Sequence, residues 1–196
     1  MKNNFGIKIN AKELRDIDKL NNIPSDKPGY YKWWARESDL KFILKNLGKE
    51  FEDMKAFFEY SDDGSYCIYI GIATKESLRS RLNWHINTNS TKSNIKNRTL
   101  STLKQSISAL VCRNMADDEK TNNFIDNLYV EYFLCNCEIK SEDALKQIKE
   151  IENSHLKNND NLYILNIQEN KHPQSCAKEL KALRKIARLK GLDALN

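Results

Sequence analysis

The chain has 196 residues, 40% of them apolar and 30% charged, with only 6 Gly and 3 Pro. This is the composition of one globular domain, or of one with an appendage, and it excludes a linker-rich, collagen-like or disordered chain. The net charge of +5 is uneven. Residues 75–104 carry seven Lys/Arg against one Glu, 171–196 seven against two acids, and 37–63 eight acids against four Lys. Such zoning suits a polyanion partner, although each zone alone also suits a solvated helix face.

In chain order, residues 10–22 are predicted to form a short helix with Leu14, Ile17 and Leu20 inward. Asp26 to Gly29 is a turn signal, and Tyr30 to Ala35 reads as an aromatic strand. Leu40, Ile43, Leu44, Leu47, Phe51, Met54 and Phe58 recur at helical spacing, with Ser38 a candidate cap and Gly48 a candidate break. Ser61 to Gly64 is a tight turn before a second strand, Tyr66 to Ile72. Ser77 opens a helix carrying Leu78, Leu82 and Ile86, and the Asn-rich stretch 87–97 reads as a loop. A further helix carries Leu100, Leu103, Ile107 and Leu110. Asn127 to Cys135 is a third strand, Ser141 caps a helix through Lys157, and 162–167 is a short extended piece. Lys178 to Lys190 is a basic amphipathic helix.

Few parallel crossovers fit this order. It favours a mixed α/β (α+β) domain with a small central, mainly antiparallel three-stranded sheet flanked by helices. Five cysteines, an odd number without a CxxC pair, suggest neither a disulfide framework nor a zinc ribbon. No apolar stretch approaches a membrane span, and the charged first twenty residues lack the apolar segment of a signal peptide. A cytoplasmic protein is expected.

Several polar residues stand where chemistry is possible. Arg81 and His85 are four apart and share one helix face bordering the Leu78 and Leu82 stripe. Glu152 falls within the apolar stripe of Leu145, Ile148, Ile151 and Leu156. An inward carboxylate requires a partner, a proton or a metal. Taken alone, each feature has a plain structural reading: a surface arginine, a half-buried histidine, a buried ion pair, strand tyrosines that only pack.

Together they resemble the GIY-YIG nuclease superfamily. Gly29-Tyr30-Tyr31 is similar to its first motif, with Tyr for the middle Ile, and Tyr69-Ile70-Gly71 matches the second letter for letter. Arg81, twelve residues after Tyr69, and His85, four further on, resemble the family's arginine helix; the His variant is similar to the homing-endonuclease and restriction branches. Glu152-Asn153-Ser154-His155-Leu156-Lys157 fits the family's Glu-x-x-x-Leu/Ile-Lys pattern, and Asn166 follows at the expected distance. The departure is the 38-residue separation of Tyr31 from Tyr69, longer than in compact members, which implies a helical insertion between the two tyrosine motifs at about 37–63.

The resemblance implies a nuclease domain over 1–170 and a basic C-terminal helical extension over 171–196. It implies catalytic roles for Tyr31, Tyr69, Arg81, His85, Glu152 and Asn166, with Glu152 the sole protein ligand of Mg²⁺ or Mn²⁺. The expected function is metal-dependent cleavage of double-stranded DNA, as a type II restriction enzyme acting as a dimer or higher homo-oligomer. A homing, repair or mobile-element nuclease of looser, structure-specific cutting is the alternative, as is a non-catalytic DNA-binding module on the same fold.

Overall fold

The computed structural model describes residues 6–157, 160–168 and 170–195. Four antiparallel strands form one sheet: β1 (Ile7–Asn10), β2 (Gly29–Arg36), β3 (Ser65–Ala73) and β4 (Tyr129–Leu134), in the order β1-β4-β2-β3. Three of them are the predicted strands. The fourth, β1, lies ahead of the helix expected over 10–22 and takes only its first residue, Asn10. It pairs Ile7 with Tyr132 and Asn10 with Tyr129. The rest of that stretch is a 3-10 turn, Glu13–Arg15, and a five-residue helix α1, Ile17–Asn21. Asp16 separates them: its backbone is extended and its side chain accepts from the Asp18 N–H, so it caps α1 rather than continuing a helix. As a result Leu14 and Leu20 are buried, but Ile17 points outward.

Between β2 and β3 run α2 (Glu37–Asn46), α3 (Phe51–Met54) and a 3-10 turn, Lys55–Phe57. Arg36, not Ser38, stands at the cap position of α2. Gly48 ends it at φ +69, where a side chain would be strained. Its N–H bonds to Lys45 O and the Lys49 N–H to Leu44 O, the paired bonds of a glycine helix stop. All seven apolar residues singled out in this stretch are buried.

After β3, Ser77 caps α4 (Leu78–Asn87) by accepting from the Ser80 N–H. The expected loop at 87–97 contains instead a short helix, α5 (Lys92–Asn97), capped by Thr91 and anchored by buried Ile95. Then follow α6 (Thr102–Val111), α7 (Asp118–Ile125), β4 and α8 (Glu142–Lys157), the last with Ser141 Oγ accepting from the Ala144 N–H. The chain ends in α9 (Ala177–Ala194).

Residues 162–167 are buried, turn-containing chain rather than an extended strand. They close the outer edge of β3. Leu165 N–H donates to Ile68 O at 3.0 Å, and further along the same edge Cys67 N–H donates to Glu59 O at 2.9 Å. The main core lies against one sheet face, where Tyr31, Trp33, Ala35 and Tyr69 meet Leu78, Leu82, Leu103, Ile107 and Leu180. The opposite face is a smaller cluster of Trp34, Cys67, Ile70, Leu156 and Tyr163. No helix among the described residues is long and apolar enough to cross a membrane.

Candidate active site

Alternation along β2 sends Tyr31 and Trp33 to the core face and Tyr30, Lys32 and Trp34 to the other. A bulge shifts the register between Trp33 and Trp34, so Trp33 faces Tyr69 while Trp34 faces Cys67. Beyond the bulge Tyr31 lies directly across from Gly71. A Cβ on Gly71 would fall within 2.5 Å of Tyr31 Cζ. Gly71 is therefore the space in which the Tyr31 ring lies, which gives a steric reason for glycine two residues after Tyr69.

The Tyr31 ring leads to His85. Its hydroxyl is 2.6 Å from His85 Nε2. The histidine ring is edge-on to Tyr31, Trp33 and Tyr69, with centroids 5.3, 5.9 and 6.0 Å away. His85 is 1% exposed. It lies deeper than the edge of the core that the shared face with Arg81 suggests, beneath the tyrosines. Burial, with the Arg81 cation second, lowers its pKa to about 3. It is a neutral imidazole at pH 7, able to accept a hydrogen bond from the Tyr31 hydroxyl when its own proton is on Nδ1.

Both tyrosines are held protonated. Burial raises Tyr31 well above 10, and the Tyr69 hydroxyl adds to the effect. Tyr69 rises to about 12, through burial and then the negative charge of Glu152; Arg81 and Arg184 pull the other way.

Arg81, half-buried one turn before His85, has its guanidinium 4.8 Å above the Trp84 ring and Nη2 2.8 Å from Glu76 Oε1. Its Nε is buried without a hydrogen-bond partner among the described residues. Glu152 occupies the ridge of α8 that runs through Ala144, Ile148 and Leu156. With Tyr69, Thr102, Asn166 and Gln168 it lines a cavity of about 180 Å³. Asn166 is 6% exposed and grips β3 on both sides of one residue: the Ile70 N–H donates to Oδ1 and Nδ2 donates to Ile70 O, each at 2.9 Å.

The fold thus brings the six sequence-selected residues around one end of the β2–β3 pair. Sequence reasoning missed Glu76 and Trp84, which orient Arg81. It also missed a second cavity, about 460 Å³, that shares the Thr102, Ile167 and Gln168 wall. The basic character of α9 and the Arg98 region was the only advance sign of it.

Two tyrosines over a buried histidine, with an arginine on the same helix and a carboxylate on the neighbouring cavity wall, stand on a small antiparallel sheet, and the chain is a nuclease domain. A family profile for the GIY-YIG catalytic domain matches residues 29–186, and the chain belongs to that family. The sheet has four strands where three were expected, β1 being the addition. No curated protein and no solved structure matches the chain.

Proposed function

We propose that the chain is a Mg²⁺-dependent endodeoxyribonuclease of the type II, site-specific restriction kind, with Tyr31, Tyr69, Arg81, His85, Glu152 and Asn166 as its site. The observation that carries this reading is the polar cavity that Glu152 lines together with Tyr69 and Asn166. The residues suit a hard divalent cation. One carboxylate in a polar cavity matches an ion that keeps most of its water and takes phosphate oxygens as further ligands. The Glu152 charge that raises both tyrosines is also the charge a cation there would offset.

When bound to Glu152, Mg²⁺ or Mn²⁺ would supply charge neutralisation at the scissile phosphate and its leaving 3′ oxygen. The Arg81 guanidinium, braced by Glu76 and Trp84, donates to the non-bridging oxygens as their charge grows. The Tyr69 hydroxyl, on the cavity wall, orients the attacking water. The Tyr31 hydroxyl, buried behind Tyr69 and hydrogen-bonded to His85 Nε2, holds that side of the site in place as a neutral pair at pH 7. Asn166 fixes the strand that carries Tyr69.

On the same reading the nuclease domain comprises residues 1–170, with 37–63 as a helical insertion, and 171–196 is a basic extension folded back on α6. Double-strand cutting calls for two such sites, hence a dimer or higher assembly.

Digestion of unmethylated phage DNA with Mg²⁺, alongside Glu152→Ala, tests this. Discrete bands that disappear in the variant are expected. Cutting only at branches or flaps would replace restriction with a structure-specific nuclease, and metal-independent binding without any cutting would replace both with a binding module.

A further inference from the structure

The larger cavity is walled by α9, α6 and the end of α5. Arg184 and Arg188 lie one turn apart on α9, and both aim Nη2 at the single oxygen Oε1 of Gln105, at 2.6 and 2.9 Å. The Gln105 amide is fixed in that sense because its Nε2 donates to Leu100 O at 2.6 Å. Two guanidinium groups therefore share one neutral acceptor, while Arg188 Nε is buried with no partner among the described residues. Lys181 and Arg98, both exposed, complete the wall. The described residues that line the cavity include no carboxylate.

This is a costly arrangement for an empty pocket. Burial, then the neighbouring Arg188, lowers Arg184 to about 10. Arg98 adds a second sign of selection for function over ease of folding. It holds φ +59 at the end of α5, where the Thr99 N–H bonds to Asn94 O in the turn that glycine usually fills. Like charges gathered around a polar void are relieved by an anion, and planar guanidinium forks match phosphate oxygens. The cavity adjoins the Tyr69 and Glu152 cavity across the shared wall of Thr102, Ile167 and Gln168, and the Arg184 charge is felt at the Tyr69 hydroxyl.

We propose that this cavity seats a backbone phosphate of the DNA flanking the scissile one, gripped by Arg184 and Arg188 and guided in by Lys181 and Arg98. The assignment rests on the nuclease reading for its substrate but not for its binding geometry. Gln105 acts as a positioning residue that aims the two forks.

The test is the salt dependence of binding to a mixed-sequence duplex, without divalent metal, for the full chain and for Lys181→Gln, Arg184→Gln and Lys185→Gln. Lys185 is exposed on the same helix but does not line the cavity. Each lost phosphate contact lowers the slope of log K against log salt by about one. Lys181→Gln and Arg184→Gln are expected to lower it so, and Lys185→Gln to leave it as in the native chain. Thermal unfolding shows whether Arg184→Gln still folds, and exposed Lys181 carries the test if it does not. Native slopes in Lys181→Gln, an equal fall in Lys185→Gln, or no salt-dependent binding by the native chain would overturn the proposal. Cavity-specific loss of slope in a chain that never cuts DNA would sink the nuclease reading and leave the phosphate site. Normal cutting with unchanged slopes would do the reverse.

Discussion

The Tyr31 hydroxyl and His85 Nε2 stand 2.6 Å apart, sealed from solvent beneath the β2–β3 strand pair. The pair joins the first tyrosine motif to the arginine helix. Neither member is charged at neutral pH, because burial opposes the phenolate and the imidazolium alike.

That burial has a consequence for acid stability. His85 has a folded pKa of about 3 against an ordinary 6.5, so the unfolded chain binds more protons between those values. Stability from this group is full above about pH 6.5 and falls as pH drops toward 3, at about 1.4 kcal/mol per pH unit within the window. Urea unfolding at stepped pH should show a shallower acid arm in His85→Gln than in the native chain. His155 and His172, also lowered by burial, maintain part of the slope in both. Identical arms would mean that His85 takes up its proton in the folded state.

Gly71→Ala is expected to cost about 1–3 kcal/mol through overpacking against the Tyr31 ring. It should also push Tyr31 off His85 and so abolish cutting. The sharper measurement is a double-mutant cycle. In a Tyr31→Ala background the added methyl meets no ring, and the cost should largely vanish. An unchanged cost would assign the glycine to the backbone instead.

Asn166→Ala leaves both the N–H and the C=O of Ile70 without their side-chain partners. At about 1–3 kcal/mol for each stranded group, a loss of roughly 2–6 kcal/mol is expected in denaturant unfolding. Asn166→Asp keeps the acceptor and removes the donor, so it should fall between the two. Hydrogen exchange of the Ile70 amide should quicken in the alanine variant before that of central-strand amides does.

Arg81→Lys should not restore cleavage. Lysine keeps the charge but loses the planar fork that stacks on Trp84 while Nη2 bonds Glu76. The rate of single-turnover cutting is expected to fall about 100-fold or more. Near-native rates would remove the guanidinium from phosphate binding.

Much of this arrangement is legible in the residues themselves. The aromatic β2 and β3, the Ser77 and Ser141 caps and the stripe through Leu40 and Phe58 are local patterns, and local patterns survive folding. The Gly71 signal was also visible, but its reason was not: the clash it avoids lies across the sheet, with Tyr31. What escaped depends on distant partners. Ile7–Asn10 is a four-residue strand only because β4 offers it a ladder, and Asp16 divides the expected helix with a cap that competes against helical continuation. The face that His85 shares with Arg81 suggests the edge of the core, because helix phase gives a direction but not the depth of what covers it. Gln105 carries no charge or motif to mark it, and its role comes from Arg184 and Arg188, about eighty positions away.

The closure of β3 sets a rule for assembly. Its outer edge is taken up by Glu59 on one stretch and by Leu165 and the Asn166 side chain on the next. An amide side chain there does the pairing of a strand but cannot pass the ladder on to a newcomer. Among the described residues the sheet can lengthen only beyond β1, two strands from β2 and three from β3. Two copies joined by strand pairing would therefore meet at the far edge of the sheet, with β1 and β4 of each lying between the seam and its Tyr31 and Tyr69.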